Sequence, residues 1–327
     1  MRPKEKKESA PLMRAWLFTE VNEPLTLVDL PDPEPGPGQV VIDVKGAGLC
    51  HSDVGIIEGP GLPWIAKRPI VLGHEVGGVI AAVGEGVSGH VIGERITIGY
   101  LKPPPWGPGL GRDGGYAEKT VVYADEIIPI PANVSCVQAA VASDSSATAY
   151  HAVRGVGEVT GDSVVGIIGL GGLGLAGARF AALSGATVYG VDINPGVFEA
   201  ALGLGVAKVF TDASDLDQFA ADVIVDFAGF STTTAAALRA VRPGGTVVQV
   251  GLGVVEATIS TNDLVLKQVR LIGSLGSDQS DLRAVLDLIS TGAFSPEIEE
   301  ITFDEIGEGI QRLQRGDLTG RLAAVLP

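Results

Sequence analysis

Residues 164–192 read VVGIIGLGGLGLAGARFAALSGATVYGVD, and this stretch decides the fold of the chain. The β-rich run Val164–Ile168 leads into a glycine turn at residues 169–174, GLGGLG. A helical pattern follows, and then a second β-rich run, Thr187–Val191, which ends on Asp192. This order of strand, turn, helix, strand and acid is typical of units that bind a dinucleotide.

Each part of this unit has a predicted role toward such a ligand. Gly169 makes the tight turn, Gly171 lets the backbone approach a pyrophosphate, and Gly174 lets the helix pack closely on the strand. Gly172, also in the turn, is a further candidate contact of the cofactor. The helix that follows the turn points its free N–H groups and its positive end at the phosphates. Asp192 stands where a carboxylate binds both hydroxyls of the adenosine ribose and repels a 2′-phosphate. The sequence therefore predicts NAD rather than NADP.

Composition limits the remaining classes of function. The 327 residues are 46% hydrophobic, which suits about two globular domains. The formal charge of −16 disfavours nucleic acid and anionic membrane surfaces as partners. With only two cysteines, Cys50 and Cys136, no disulfide framework is indicated, and a reducing cytosol, hence a cytoplasmic location, fits. The charged residues 1–12 are expected to be a mobile leader, neither a signal peptide nor a membrane anchor.

The rhythm of the chain predicts two kinds of domain. Short β-rich runs separated by Gly, Pro and Asp predict a compact, barrel-like antiparallel domain up to residue 135. They are Arg14–Phe18, Leu25–Asp29, Gln39–Gly46, Gly77–Val83, Arg95–Ile98 and Ala117–Tyr123.

From residue 136 the pattern alternates between strands and helices, which predicts a doubly wound parallel sheet over residues 136–273. The candidate strands are Val164–Gly169, Thr187–Val191, Lys208–Phe210, Val223–Asp226, Thr246–Val250 and Val269–Gly273. Residues 274–327 are expected to return to the first domain, with helices at Asp281–Thr291 and Phe303–Arg315 and a last strand at Arg321–Val325.

A second group of residues has the chemistry of a metal site. Cys50 opens the motif CHSD, His74 lies in GHE, and Asp144 lies in ASDSSATAY. Thiolate, imidazole and carboxylate together are a sound ligand set for a catalytic zinc ion with one position left open. Their spacings of 24 and 70 residues (74 − 50 and 144 − 74) are too long for a local metal motif. On the residues alone, buried core positions remain the alternative reading.

The ordered motifs CHSD, GHE, SDSSATAY, GLGGLG and GRLAAVLP resemble those of the zinc-dependent medium-chain alcohol dehydrogenases. The resemblance runs from about Met13 to Pro327. It implies an α/β fold in which a GroES-like β-barrel catalytic domain joins a Rossmann domain with a doubly wound parallel sheet. It also implies one catalytic Zn²⁺ ion, held by Cys50, His74 and Asp144.

Cys136 is the alternative third ligand, since cysteine is more common at that step in the family. In a helix the 8 residues between Cys136 and Asp144 span roughly 12 Å, so both cannot bind one ion. The register of the family motif selects Asp144.

The resemblance assigns further roles. Asp53 would accept the free ring N–H of His74 and fix its tautomer. Glu75 would lie beside the metal without being a permanent ligand, and Ser52 would bond the substrate oxygen and pass its proton on. The implied cofactor contacts are His51 near the phosphates, Arg321 on the pyrophosphate, and Thr148 and Leu173 against the nicotinamide ring.

The chain departs from the family pattern at two places. Many relatives hold a structural zinc ion with four closely spaced cysteines, which this sequence does not contain, and the segment at residues 100–116 is short. No structural zinc is therefore expected. Gly55 stands where many relatives have a relay histidine, so the proton is expected to leave through His51, the ribose hydroxyls or water.

The implied activity is hydride transfer between an alcohol and NAD, which interconverts alcohols and aldehydes or ketones, by a homo-oligomer that is a dimer or a tetramer. Two rival functions are a zinc-free reductase of quinones or activated double bonds, and a non-catalytic dinucleotide-binding protein. The joint presence of the candidate metal ligands and Ser52 argues against both. Four apolar side chains are expected to line the substrate cleft: Ile56, Trp64, Tyr100 and Trp106.

Overall fold

A computed structural model describes residues 11–99, 107–316, 318 and 320–327. Its strands are β1 (Leu12–Phe18), β2 (Thr26–Pro31), β3 (Gln39–Leu49), β4 (Ile70–Val71), β5 (Glu75–Val83), β6 (Arg95–Ile98), β7 (Lys119–Tyr123), β8 (Ile127–Pro129), β9 (Val164–Ile168), β10 (Thr187–Val191), β11 (Lys208–Phe210), β12 (Ala221–Asp226), β13 (Val241–Gln249), β14 (Arg270–Gly273), β15 (Ile298–Thr302) and β16 (Arg321–Val325).

The α-helices are α1 (His51–Glu58), α2 (Cys136–Val141), α3 (Ala147–Tyr150), α4 (Gly172–Leu183), α5 (Phe198–Gly203), α6 (Ser231–Ala240), α7 (Thr261–Leu266), α8 (Gln279–Ser290) and α9 (Ile306–Arg315). Across the described ranges, no helix is long and apolar enough to span a bilayer. Residues 1–10 of the expected leader lie outside the described part of the chain.

Six parallel strands form one sheet, in the order β11-β10-β9-β12-β13-β14. This sheet and the helices packed on it are called the cofactor unit below. The strand order is that of a doubly wound fold, whose crevice opens at the carboxyl ends of the central strands. Val165 and Ile167 pack into the core on one face, and Ile168 packs into the core on the other. Burial on both faces explains the continuous apolar run of β9. The predicted doubly wound sheet is confirmed.

The turn between β9 and α4 has the geometry expected from its glycines. Gly169 has φ = 84°, a conformation that residues with a Cβ atom rarely adopt. A Cβ atom on Gly174 would lie 1.7 Å from the carbonyl oxygen of Gly169. The backbone of the helix therefore packs directly against the backbone of the turn, with no room for a side chain between them. The glycines thus hold the amino end of α4 against the end of β9.

The other unit is built on a second sheet, ordered β15-β16-β3-β5-β6-β8 with β7 also paired to β3, and on a small sheet ordered β2-β1-β4. All these pairs are antiparallel except β15 with β16. The last strand returns as expected, because Leu322 of β16 pairs with Leu49 of β3. This pairing places Arg321 next to the end of β3, where Cys50 follows.

A helical segment from Cys136 to Val156 connects the two units. It consists of α2, a π-helical turn at Ala142–Ser146, α3, and a second π-helical turn at His151–Val156. Helix α2 packs on β3 and β5 of the first unit, whereas α8 contributes to the core of the cofactor unit through Leu282 and Val285. The chain rejoins the first sheet at β15, and the predicted domain limits stay a prediction.

Candidate active site

Three structural elements bring the candidate metal ligands together. Cys50 follows β3 and is the N-cap of α1, His74 lies between β4 and β5, and Asp144 lies in the π-helical turn. The Sγ atom of Cys50 is 3.7 Å from Oδ2 of Asp144, and Nε2 of His74 is 3.5 Å from the same oxygen. One ligand atom from each of the three residues lies within 4.8 Å of the others. Cys136 does not belong to this cluster.

These distances fit a zinc ion. Tetrahedral zinc with ligand bonds of about 2.0–2.3 Å separates its ligand atoms by roughly 3.3–3.8 Å. The two separations measured to Oδ2 of Asp144 lie inside that range. A soft thiolate, an imidazole and a carboxylate are donors that zinc accepts, and three protein ligands leave one tetrahedral position for a substrate. The residues present therefore fit the implied group.

Four polar side chains surround the ligands. The hydroxyl of Ser52 forms a hydrogen bond of 3.0 Å with Nε2 of His74, so it stands at the metal-facing side of the imidazole. Asp53, which is fully buried, places Oδ1 3.3 Å from Nδ1 of His74, and its predicted role toward this ring stays a prediction. The remaining two, Thr148 and Tyr116, donate to Asp144 at 3.3 Å and to Asp53 at 2.7 Å, respectively.

Neither of these last two contacts follows from the sequence motifs. Thr148 is expected at the nicotinamide ring, and its bond to Asp144 is an additional contact. Tyr116 lies 63 positions from Asp53 in the chain, just before a β-rich run, with no sign of a polar partner. Its only local signal is the GG pair before it, which allows the chain to pass close to the segment before His74: Gly115 donates to the carbonyl of Gly73 at 2.7 Å.

Electrostatics within the cluster favour ion pairing. Burial by itself would lower the pKa of His74, but the neighbouring carboxylates of Asp53 and Asp144 outweigh it and raise this pKa well above the usual value. Burial would raise the pKa of Asp144, but the hydrogen bond and charge of His74 bring it below its usual value. The protein groups alone therefore hold a proton where a cation would satisfy the same oxygens.

Glu75 and Arg321 form a buried ion pair beside the cluster. Burial raises the pKa of Glu75 to about 7, against the opposing charge of Arg321. One oxygen of Glu75 and Nε of Arg321 have no hydrogen-bond partner among the residues that the structure describes. His51, at the start of α1, is exposed on one side. Desolvation by the groups around it and the charge of Arg321 lower its pKa. The predicted phosphate-side residues are thus neighbours of the metal cluster.

The glycine turn lies against Arg321 on one side and is open on another. A Cβ atom on Gly172 would lie 2.4 Å from Cδ of Arg321, whereas one on Gly171 would meet no atom of the described residues within 4 Å. Asp192 accepts the backbone N–H of Leu170 at 2.7 Å, so its carboxylate stands beside the turn as expected. Leu173 is half-buried against the core of the cofactor unit, and its contact with the nicotinamide ring stays a prediction.

The structure describes two of the four residues that are expected to line the substrate cleft. Ile56 is fully buried in the core of the first unit, while Trp64 is half-buried, and a Cβ atom on Gly55 would lie 3.5 Å from its ring. Tyr100 and Trp106 lie outside the described residues.

Comparisons with known proteins agree with this architecture. Residues 36–132 match the family described as alcohol dehydrogenase GroES-like domain, and residues 172–291 match the zinc-binding dehydrogenase family. An NAD-dependent alcohol dehydrogenase of Sulfurisphaera tokodaii is 30% identical, covering 96% of this chain and 100% of that protein. An alcohol dehydrogenase of Geobacillus stearothermophilus is also 30% identical, over 95% of this chain and 98% of that one.

Among solved structures, acetophenone reductase from Geotrichum candidum, in complex with NAD, superposes with a TM-score of 0.89. It is 30% identical, with 98% of this chain and 99% of that chain covered. The matches extend over both units and over the motifs that carry the candidate ligands. The chain belongs to the family of zinc-type medium-chain alcohol dehydrogenases.

Proposed function

We propose that this protein interconverts alcohols with aldehydes or ketones, using NAD and one zinc ion held by Cys50, His74 and Asp144. The observation that carries the proposal is the convergence of these three side chains, with two ligand-atom separations of 3.5 and 3.7 Å. The family supports the reaction class, since its members named above are alcohol dehydrogenases and a ketone reductase.

When bound, zinc supplies a Lewis acid that makes an alcohol hydroxyl more acidic, and NAD accepts the hydride. Ser52 stands beside the metal-facing nitrogen of His74, where its hydroxyl can take the proton from the alcohol. Asp53 holds the ring of His74 from the other side. Because Gly55 offers no side chain for proton transfer, the proton continues from Ser52 through the ribose hydroxyls, water or His51.

The cofactor is held by the glycine turn and by two charged residues. The N–H groups at the start of α4 suit a pyrophosphate, and the aliphatic part of Arg321 packs beside Gly172 at that end of the helix. Asp192, at the carboxyl end of β10, binds the ribose hydroxyls and excludes the 2′-phosphate of NADP. Small to medium primary or secondary alcohols are the proposed substrates.

The two cysteines provide a matched test. We expect the purified wild type to contain one zinc ion per chain by mass spectrometry, and to form NADH from a panel of alcohols. Cys50→Ala should lose both the zinc and the turnover, whereas Cys136→Ala, which alters a thiol 4.0 Å from the carbonyl of Gly78, should keep both. Full turnover by a metal-depleted Cys50→Ala protein would refute the zinc mechanism and favour the zinc-free reductase.

The same proposal has two further parts. No second, structural zinc is proposed, because the sequence has only two cysteines. A reducing, cytoplasmic location is proposed, since both cysteines are free thiols.

A homo-oligomer is also proposed, with β14 at its contact. This strand is the edge of the six-stranded sheet, with β13 as its only partner in the described part of the chain. Large apolar side chains are exposed around it: Leu252, Val255, Val265, Leu266, Leu271 and Leu275. An open edge strand among exposed apolar residues is typical of an interaction surface.

A further inference from the structure

Tyr116 is the largest fully buried side chain of the described residues, and it carries a polar atom into the core. Its hydroxyl donates a hydrogen bond of 2.7 Å to Oδ2 of Asp53 and lies 3.3 Å from the carbonyl oxygen of Gly48. A buried tyrosine hydroxyl needs a hydrogen-bond partner, and the partner of Tyr116 is a carboxylate that is itself fully buried.

Asp53 connects two candidate metal ligands from different elements. Its Oδ2 accepts the backbone N–H of Cys50 at 3.2 Å, and its Oδ1 lies 3.3 Å from Nδ1 of His74. A single carboxylate therefore holds the backbone N–H at the thiolate and lies in contact with the imidazole. The hydroxyl of Tyr116 fixes the rotation of that carboxylate, because it holds the oxygen that faces away from His74.

The ring of Tyr116 also supports the backbone that carries His74. Gly73 has φ = 88°, and a Cβ atom there would lie 2.5 Å from Cδ1 of this ring, so the ring packs directly on the glycine. The N–H of Tyr116 donates to the carbonyl of Leu72 at 3.0 Å. The same residue thus contacts the segment before His74 and the carboxylate behind its imidazole.

The hydroxyl stays a donor. Burial, together with the charge of Asp53, raises the pKa of Tyr116 well above its usual value. The hydroxyl of Tyr116 therefore keeps its proton and donates the hydrogen bond to Asp53.

We propose that Tyr116 is a positioning residue that sets how tightly the Cys50, His74 and Asp144 site holds its metal ion, acting through Asp53 without touching the metal. The inference rests on the zinc site of the proposed function. It extends that site to a residue that no motif marks. Groups that orient metal ligands typically change metal affinity by 10–100-fold when they are lost.

Tyr116→Phe keeps the ring on Gly73 and removes only the hydroxyl. Zinc affinity is measured by competition with a chromophoric chelator, on the full-length protein without NAD or substrate. We expect roughly tenfold weaker binding, at the lower end for a group one contact removed from the ligand. A shifted visible absorption spectrum of the Co²⁺-loaded protein is expected as well. Tyr123→Phe, which removes an exposed tyrosine hydroxyl of the same unit, should leave affinity and spectrum unchanged.

The path through Asp53 is tested with a double-mutant cycle. In an Asp53→Asn background, Tyr116→Phe should change the zinc affinity by less than about twofold, because its hydrogen bond no longer orients a carboxylate. The same tenfold loss in both backgrounds would show a general packing effect and overturn the proposal. Urea unfolding of each variant without metal checks that the comparison is made between folded proteins.

The experiments distinguish failure of the proposed function from failure of the inference about Tyr116. If the wild type binds no zinc, the proposed function fails and this inference with it. If the wild type holds one zinc ion and Tyr116→Phe holds it equally tightly, only this inference is overturned.

Discussion

Arg321, the first residue of β16, forms a buried ion pair with Glu75, the first residue of β5. The two residues are 246 positions apart in the chain and are 6% and 0% exposed. The aliphatic part of Arg321 packs against Gly172 of the cofactor turn, and Glu75 follows the candidate ligand His74. The pair therefore connects the cofactor turn with the candidate metal site.

Removing one member of this pair is predicted to destabilise the fold. Arg321→Met leaves the carboxyl group of Glu75 buried without its partner, and we expect the free energy of unfolding to fall by about 3 kcal/mol. The double variant Glu75→Gln/Arg321→Met should recover most of that loss. Urea unfolding without NAD measures both; equal stability of the single variant and the wild type would contradict a paired, buried charge.

Two glycines of the cofactor turn are predicted to respond differently to the same substitution. Gly174→Ala places a methyl group 1.7 Å from the carbonyl oxygen of Gly169, and we expect a loss of roughly 1–3 kcal/mol in stability. The methyl group of Gly171→Ala meets no atom within 4 Å in the described part of the chain, so this variant should fold as well as the wild type. It should nevertheless weaken NAD binding, because its methyl group occupies the approach to the pyrophosphate.

Stability is followed by urea unfolding, and NAD affinity by quenching of tryptophan fluorescence. Unchanged NAD affinity of Gly171→Ala would remove this glycine from the cofactor site.

Asp192 is predicted to set the cofactor preference. Asp192→Ala loses the hydrogen bonds to the ribose, so kcat/KM for NAD should fall by roughly ten- to a hundredfold, while NADP is no longer repelled. The N–H groups of Leu170 and Asn194 also lose their acceptor, at a cost of about 1 kcal/mol in stability.

The control is Asp212→Ala, in the segment after the next strand, where the carboxylate accepts the N–H of Ser214 at 2.8 Å. It should lower stability and leave the ratio of kcat/KM for NAD and NADP unchanged. The assignment of Asp192 is wrong if its own variant keeps the wild-type ratio.

Asp222 is predicted to give the cofactor sheet a pH-dependent stability. Its carboxylate accepts the N–H of Val164 at 2.7 Å and Nε of Arg242 at 2.6 Å, which joins the starts of β9, β12 and β13. Burial would raise the pKa of Asp222, but these hydrogen bonds lower it below the usual value. Since the pKa is depressed in the folded state, the stabilisation is complete above the ordinary aspartate pKa and is lost as the pH falls through the folded value.

Asp222→Asn should therefore cost about 1 kcal/mol at pH 7, and its difference from the wild type should shrink as the pH falls below about 4. Urea unfolding at several pH values measures this difference in the free energy of unfolding. Asp287→Asn, at an exposed position of α8, should show no such difference at any pH. If the stability difference between Asp222→Asn and the wild type does not change with pH, the shape of the side chain and not its charge stabilises the sheet.

The edge of the cofactor sheet is predicted to carry the oligomer contact. Leu271→Arg places a charge on β14 among exposed apolar residues, and we expect the mass measured by light scattering to fall to that of a monomer. Val91→Arg, at a hydrophobic residue of the other unit that is 67% exposed, should leave the mass unchanged. An oligomer that survives Leu271→Arg would place the contact elsewhere.

The sequence by itself determined the cofactor unit. The strand limits at Val164–Ile168 and Thr187–Val191 and the end of the helix at Leu183 follow from local patterns of apolar residues and glycines, which need no distant partner. The helix begins at Gly172, inside the predicted glycine turn. Short strands such as Ile70–Val71 and Ile127–Pro129 were not predicted, because two or three residues carry no periodic pattern and are held by their neighbours in the sheet. The ordered motifs supplied the candidate ligands only through a family resemblance.

Only the tertiary structure decided the arrangement of the candidate active site. Cys50, His74 and Asp144 meet because a strand end, a loop and a π-helical turn converge, and neither spacing in the sequence encodes that meeting. The contacts of Tyr116 with Asp53 and of Arg321 with Glu75 depend on chain crossings and strand registers such as Leu322 opposite Leu49. Side-chain contacts between distant segments depend on how whole sheets pack, and a one-residue change of register would turn the strand residues Arg321 and Glu75 to the other face.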